Sequence, residues 1–354
     1  MAESSAFKAL NDKDVVSTRT LLHEAIPITG TIVSGTYTDN NIKNPSHGMF
    51  QSVYDYPYLS SSANHIFDIT VGVSTTSTLY SDVTSQQAKK KNIYNQMSQL
   101  LVGYDHTGSI LHFDADGNIL AGGTKYEDVF VIPFSRLLVK DEIKKGTFSM
   151  KLAVSSSYAD AYDEIINITD ASGSDGYFVN SPVGEYGVLF AANSTGTPLS
   201  TDNSAVGLLY YQAGIAVITK DVFSGSLDSG KEDVEMNSGG LFINDLLTGS
   251  TIQTLSNAFR YRLDNVQFNN TTELNSTIYF CRANHQEFNY STNPTYTDAS
   301  KIRVKTNSTD EPVSYITTIG LYNDRNELMA TAKLSEPLKK TPSTEFTIRC
   351  RLDY

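Results

Sequence analysis

Tryptophan is absent from this chain of 354 residues, and cysteine occurs only twice, as Cys281 and Cys350. Two cysteines are too few for the disulfide framework that staples small secreted domains, so we expect free thiols. Because both lie in strand-like apolar runs, a bridge between them stays open if those strands pair. No apolar stretch approaches the roughly 20 residues that a transmembrane helix needs, which predicts a chain without a membrane span.

Charged residues are also scarce, at 19% of the chain, and acidic residues outnumber basic ones by 39 to 27. The resulting formal charge of −12 repels phosphate backbones, so we expect no nucleic-acid partner. The one dense basic run, Lys89–Lys91, stands at the start of a predicted helix. We interpret this run as a solvated face of that helix.

Motifs that carry catalysis or bind cofactors are missing as well. The sequence has no phosphate-binding loop, no G-x-G-x-x-G fingerprint and no G-x-S-x-G nucleophile elbow to accompany its six histidines. We therefore expect no catalytic residues, no cofactor and no enzymatic activity. Each histidine is interpreted as a packed or surface residue.

Two aspartate-rich segments, Asp114–Asn118 and Asp170–Gly176, invite comparison with calcium loops, because alternate carboxylates can converge on one hard cation. In the first segment, Ile119 stands where an EF-hand loop has glycine, and Lys125 stands where that loop has glutamate. We therefore interpret both segments as turns and predict no metal site. The first turn is expected to be a hairpin in which Gly117 takes a positive φ.

Tyrosine is the residue that the chain has in excess, with 21 tyrosines beside 16 phenylalanines. A tyrosine-rich, charge-poor surface suits extensive protein contacts, because tyrosine offers rigid contact area with a polar tip. The most unusual stretch holds Phe50, Tyr54, Tyr56 and Tyr58, and the alternate spacing of its tyrosines places them on one side of an extended strand. We predict that these four residues form a subunit interface. Internal packing and a glycan site are the other two interpretations.

Short β-branched and aromatic runs, separated by turn residues, predict a mainly β chain of multi-domain antiparallel β sandwiches with one amphipathic helix and a few short helices. The amphipathic helix is expected over residues 86–102, with Ser85 as its N-cap. A short helical piece is expected at residues 12–20 and a strand at Phe259–Leu263. The predicted domains are an N-terminal arm (1–20), a β-rich domain (21–154), an inserted Gly/Ser-rich β domain (155–250) and a C-terminal β domain (251–354).

The C-terminal segment Tyr315–Lys340 carries a resemblance to known proteins. A strand that ends in Ile-Gly-Leu-Tyr at residues 319–322 is followed by a polar turn and a second strand that ends in Ala-Lys, with a further strand at Phe346–Leu352. This pattern resembles the terminal β unit of phage baseplate and tail-collar proteins. Two other segments, Asp14–Glu24 and Tyr54–Asp68, are similar to virion structural proteins of contractile-tailed myophages of marine and cyanobacterial hosts.

The resemblance implies a non-enzymatic virion protein of the phage tail, with a baseplate wedge-type component as the favoured position. It also implies other phage structural proteins as partners, in homo- and hetero-oligomeric contacts, and assembly in the host cytoplasm. A second predicted contact is the turn of the C-terminal hairpin, which consists of Asn323, Asp324, Arg325 and Asn326.

Three alternative functions stay open at the level of the sequence. They are a neck, collar or tail-fibre attachment protein, a glycan-binding protein that recognises the host receptor, and a tail-associated hydrolase. A glycoside hydrolase needs two carboxylates about 5–10 Å apart. No sequence pattern singles out such a pair.

Overall fold

The computed structural model of the chain describes residues 7–27, 41–55, 63–119, 122–171, 173, 176–193, 205–225, 232–291, 296–298, 301–302, 307 and 309–354. Strands hold 45% of the residues and helices 17%, in large antiparallel sheets. The predicted mainly β fold with a few helices is therefore confirmed.

The described residues form strands and helices whose bounds are as follows. The strands are β1 (Val15–Pro27), β2 (Ile42–Lys43), β3 (Gln51–Tyr54), β4 (His65–Val73), β5 (Phe113–Asp114), β6 (Lys125–Tyr126), β7 (Asp128–Pro133), β8 (Glu142–Ile143), β9 (Ser149–Ala153), β10 (Ile165–Thr169), β11 (Phe178–Ser181), β12 (Gly184–Asn193), β13 (Ala205–Tyr210), β14 (Ile215–Thr219), β15 (Leu263–Ala283), β16 (Thr297–Asp298), β17 (Lys301–Ile302), β18 (Ser314–Tyr322), β19 (Leu328–Lys340) and β20 (Phe346–Asp353). The helices are α1 (Ser85–Leu101), α2 (Arg136–Val139), α3 (Ile243–Gly249) and α4 (Ile252–Arg262).

The chain divides into two compact units. The central unit comprises Leu22–Thr272, and the terminal unit comprises Met1–Leu21 together with Glu273–Tyr354. These boundaries differ from those of the four predicted segments. Residues 155–250 contribute β10, β12, β13 and β14 to the same sheet as β4, β7 and β9. The Gly- and Ser-rich stretches of this segment lie between apolar runs, and those runs form the strands that join the common sheet.

The sheet of the central unit has the strand order β15-β9-β10-β12-β13-β14-β7-β4-β3-β2. Its neighbouring strands β7 and β14 are buried at nearly every position. Alternate side chains of β7 enter two different cores, with Phe130 and Ile132 in the larger one and Val129 and Val131 in the other. Because both faces of the sheet are covered, these strands appear in the sequence as unbroken apolar runs.

Helix α1 confirms the predicted amphipathic helix, one residue earlier at each end. It packs on β4, where Gly72 allows a close approach: a Cβ at that position would lie 3.0 Å from the Cα of Tyr94. The N-cap is Thr84 and the prediction of Ser85 is wrong, since the Thr84 hydroxyl accepts a hydrogen bond from the backbone N–H of Gln87 at 3.2 Å.

Helix α4 contradicts the strand predicted at Phe259–Leu263. The short aromatic run suggested a strand there, but the side chain of Arg262 is itself completely buried. The overlooked signal is the i, i+3, i+7 spacing of Ile252, Leu255 and Phe259, all of which are buried.

The short helical piece predicted at residues 12–20 is wrong for most of its length. Only Asp12–Asp14 form a 3-10 turn, and the residues that follow belong to β1. Valine and threonine are abundant in this segment, and both prefer strands because they are branched at Cβ. Pairing with β15 supplies the hydrogen bonds that stabilise the extended form.

In the terminal unit, β20 pairs antiparallel with the second half of β15, from Ser276↔Asp353 to Ala283↔Phe346. Strands β18 and β19 form a separate antiparallel hairpin, which confirms the predicted strand–turn–strand pattern. Cys281 and Cys350 lie on the paired strands β15 and β20 as free thiols. Burial, reinforced by the neighbouring Cys350, raises the pKa of the Cys281 thiol to about 11.

Candidate interaction surfaces

The predicted aromatic interface is only partly within the described residues. Phe50 and Tyr54 are half-buried in the central unit. The ring of Phe50 lies 5.1 Å from that of His47, and the ring of Tyr54 meets that of His65 edge-on at 5.6 Å. These two contacts are internal to the unit, and the interface stays a prediction. Tyr56 and Tyr58, the other two predicted residues, lie outside the described residues.

The predicted contact at the hairpin turn is organised by one side chain, that of Asn323. Its Oδ1 accepts hydrogen bonds from the backbone N–H groups of Arg325 at 2.9 Å and Glu327 at 2.8 Å. Asn326 adopts a left-handed φ of 60°, which asparagine tolerates better than most residues. Asp324, Arg325 and Asn326 are exposed, so the turn presents polar side chains on a fixed backbone.

The strands that carry this turn expose large apolar side chains. Tyr315, Tyr322, Leu328 and Met329 are exposed by 50%, 46%, 51% and 68%. Phe7 covers part of this surface, since its ring meets that of Tyr322 edge-on at 4.7 Å. Tyr322 and Leu328 are cross-strand partners beside the turn, and adjacent exposed apolar side chains are typical of a surface that binds another protein.

An apolar groove of about 290 Å³ lies beside the hairpin within the terminal unit. Its apolar lining residues come from three strands and are Ile319 and Leu321 of β18, Ala330, Ala332 and Leu334 of β19, and Ile348, Cys350 and Leu352 of β20. Of these, only Cys350 is buried. The groove is therefore an apolar surface that the terminal unit itself leaves partly open.

In the central unit, the buried guanidinium of Arg262 is the largest polar group that the sequence analysis missed. It donates hydrogen bonds to the carbonyl oxygens of Ser155 at 2.8 Å, Ser157 at 3.2 Å and Ala161 at 3.4 Å, and also to that of Glu235. Burial lowers the pKa of this guanidinium. The arrangement ties α4 to two distant chain segments, which is a structural role.

The interpretation of Lys89–Lys91 as a solvated face is wrong for Lys90, which is completely buried. Its ammonium donates to the carbonyl oxygen of Leu247 at 2.6 Å, at the end of α3. Burial lowers the pKa of Lys90 to about 8, with the charge of Asp128 acting in the opposite direction. The lysine compensates carbonyls that a helix end leaves without intrahelical partners.

Asp128, at the start of β7, is a buried carboxyl group with an altered proton affinity. The hydroxyl of Ser77 lies 2.8 and 2.9 Å from its two oxygens. Burial raises the pKa of Asp128 to about 6 and outweighs the hydrogen bond from Ser77, which lowers it. The folded protein therefore holds a proton here under conditions in which the unfolded chain, with a pKa near 3.8, has lost it.

Asp128→Asn is expected to change how stability depends on pH. Because the folded pKa is raised, the stabilising contribution of Asp128 is fully present below pH 3.8 and is lost as the pH rises through about 6. The free energy of unfolding of the wild type, relative to Asp128→Asn, should thus fall by about 3 kcal/mol between pH 3.5 and pH 7. Urea unfolding at several pH values measures this difference. Asp82→Asn, whose side chain is 78% exposed, is the control; a difference that stays constant across the pH range contradicts the prediction.

Asp114 is the last residue of β5, and the chain turns after it, as predicted. The strand that pairs with β5 is β6, which begins seven residues after Asn118. Gly117 has the predicted positive φ, of 75°. One oxygen of Asp114 accepts from the backbone N–H of Ile119 at 2.9 Å and lies 2.8 Å from the ammonium of Lys125. A lysine ammonium therefore stands beside the carboxylate where a calcium loop has its glutamate ligand.

Asp170, in the second aspartate-rich segment, also binds its own chain. Its carboxylate accepts from the backbone N–H groups of Gly146 at 2.7 Å and Phe148 at 2.9 Å, and from the hydroxyl of Tyr211 at 3.2 Å. Burial raises its pKa to about 6. These bonds fix the turn that leads into β9. Within the described parts of the chain, His, Cys, Asp and Glu side chains form no group of three placed to hold a metal ion.

Comparison of the chain with protein-family models, with curated proteins and with solved structures finds no match. No helix in the described ranges is long and apolar enough to cross a membrane. A function therefore has to be inferred from the surface of the terminal unit, which has an exposed hairpin, an ordered turn and an open groove.

Proposed function

We propose that this protein is a non-enzymatic structural subunit of a bacteriophage virion, a baseplate wedge-type component of a contractile tail that joins neighbouring subunits. The C-terminal hairpin carries the proposal. Its Ile-Gly-Leu-Tyr strand resembles the terminal β unit of baseplate and tail-collar proteins, and four of its large apolar side chains face solvent. Burying them against a neighbouring subunit removes apolar surface from water, which favours association.

Two further observations support an assembly role. The chain combines few charges with many tyrosines, a composition that suits broad protein contacts. The aromatic residues Phe50, Tyr54, Tyr56 and Tyr58 and the turn at Asn323–Asn326 are the contact sites within this proposal.

Interruption of the gene for this chain in the phage genome tests the proposal. We expect electron microscopy to find tails without baseplates, and infectivity to return when the wild-type protein is supplied in the host. Tails with baseplates but without fibres would show that the protein attaches tail fibres and is not a baseplate component. Complete, infectious tails would overturn the proposed function.

The double variant Leu328→Asp with Met329→Asp tests the hairpin within this complementation assay. Both side chains are exposed, so the fold should survive, but two carboxylates would have to be desolvated in any apolar contact. We expect the yield of infectious particles to fall about tenfold or more, since a loss of about 1.4 kcal/mol in a contact is a tenfold change in affinity. Ser335→Asp, exposed on the same strand, is the matched control, and equal yields from the two variants would exclude the hairpin as a contact.

A further inference from the structure

The groove of the terminal unit is bordered by the edges of two strands as well as by their side chains. Residues 330–334 of β19 and residues 348–352 of β20 all line it without interruption. Successive side chains of a strand point to opposite faces, so five consecutive lining residues indicate that the backbone itself borders the groove. Both strands therefore present main-chain groups to the same opening.

Both of these edges are without a strand partner in the described parts of the chain. There β19 pairs only with β18, and β20 pairs only with β15. The outward N–H and C=O groups of an edge strand are a template for another strand.

The two faces that an added strand would meet differ in chemistry. Ile319, Leu334, Ile348 and their apolar neighbours line one face. Lys333 and Arg349 also line the groove. Because successive side chains of a strand alternate between its two faces, each of them lies on the face of its strand opposite to the apolar lining residues. Both cations are exposed, and within the described ranges neither belongs to an ion pair, whereas Arg351, which also lines the groove, pairs with Asp353 at 2.6 Å.

We infer that this groove accepts one extended, acidic strand from a neighbouring protein, in which apolar residues alternate with Asp or Glu. The strand adds to the edges of β19 and β20, its apolar side chains cover the groove, and its carboxylates meet Lys333 and Arg349. The inference rests on the proposed function for the source of that strand, a neighbouring subunit of the tail.

The size of the groove favours a strand over a small organic ligand. Its volume of about 290 Å³ lies at the lower limit of small-molecule pockets, which measure about 300–1,000 Å³. Such pockets also enclose most of their ligand, whereas this groove runs along two strand edges. Backbone pairing along those edges makes use of groups that a compact ligand would leave unpaired.

A strand tethered to the full chain tests the inference. The sequence Val-Glu-Val-Asp-Val-Glu-Val is appended after Tyr354 through a flexible Gly/Ser linker, because β20 ends at Asp353, next to the groove. Tethering gives an effective concentration in the millimolar range. We expect hydrogen exchange of peptides that cover β19 and β20 to slow about tenfold or more relative to the untethered protein.

The contribution of charge to binding is tested by reversing the charge of the tethered strand and, separately, of the groove. A tethered Val-Lys-Val-Lys-Val-Lys-Val strand should protect β19 and β20 less than the acidic strand does. In the variant Lys333→Glu with Arg349→Glu, the order of the two strands should reverse. Lys339→Glu, at an exposed position of β19 outside the groove lining, is the matched control and should leave the order unchanged.

Three results would overturn the inference. The first is unchanged exchange of β19 and β20 with either strand, and the second is equal protection by the acidic and the lysine strand. The third is a concentration-dependent dimer of the untethered protein that Arg349→Glu abolishes, which would make a second copy the occupant. If no protection is seen but gene interruption still removes baseplates, this inference fails and the proposed function stands.

Discussion

Arg262→Met is expected to lower the free energy of unfolding of the central unit by about 3–5 kcal/mol. The guanidinium is completely buried and donates to four carbonyl groups, those of Ser155, Ser157, Ala161 and Glu235. Methionine keeps much of the side-chain length but offers no donor. Each buried carbonyl left without a partner costs about 1–3 kcal/mol, and relief of the buried charge offsets part of that sum.

Urea unfolding followed by far-UV circular dichroism measures this loss. Arg136→Met is the matched control, because Arg136 is exposed and donates to a single carbonyl, that of Gln212 at 2.8 Å. It should cost less than about 1 kcal/mol. If the two variants lost equal stability, the carbonyl cluster around Arg262 would not be the cause.

Phe259→Ala is expected to lower the free energy of unfolding of the central unit by about 3–5 kcal/mol as well, through loss of packing. The side chain is completely buried between two other aromatic rings, 4.8 Å from that of Phe130 and 5.9 Å from that of Phe223. Alanine removes the shared partner of both rings and leaves a cavity in the larger core.

The same unfolding measurement tests this substitution against Phe242→Ala, since Phe242 belongs to the same unit but is 39% exposed. The control should cost less, because the Phe242 side chain is already partly exposed to water in the folded protein. Comparable losses from the two variants would mean that the three-ring cluster does not hold α4 against the sheet.

Local sequence was sufficient for features whose stability depends on near neighbours. The periodicity of α1 predicted it to within one residue at each end, because its buried face recurs every three or four positions. The C-terminal hairpin was predicted because β18, the polar turn and β19 are adjacent in the chain, and the side chain of Asn323 organises that turn from within it.

Local sequence failed where a distant segment decides what a residue does. The aromatic run at Phe259 indicated a strand, but carbonyls about a hundred positions away accept the hydrogen bonds that let Arg262 be buried in a helix. In the same way, Lys90 belongs to a run of lysines that is typical of a solvated helix face, and yet its ammonium binds the carbonyl oxygen of Leu247, 157 positions along the chain. No local pattern contains those partners.

The sequence by itself therefore determined that this chain is mainly β, that an amphipathic helix follows β4 and that the hairpin of β18 and β19 precedes a further strand. Only the tertiary structure decided which charges are buried, which proton affinities burial alters and where a groove opens. The physical reason is the same in each case. Burial and strand edges are properties of the space between segments, and that space exists only when β19 and β20, or α3 and α1, have come together.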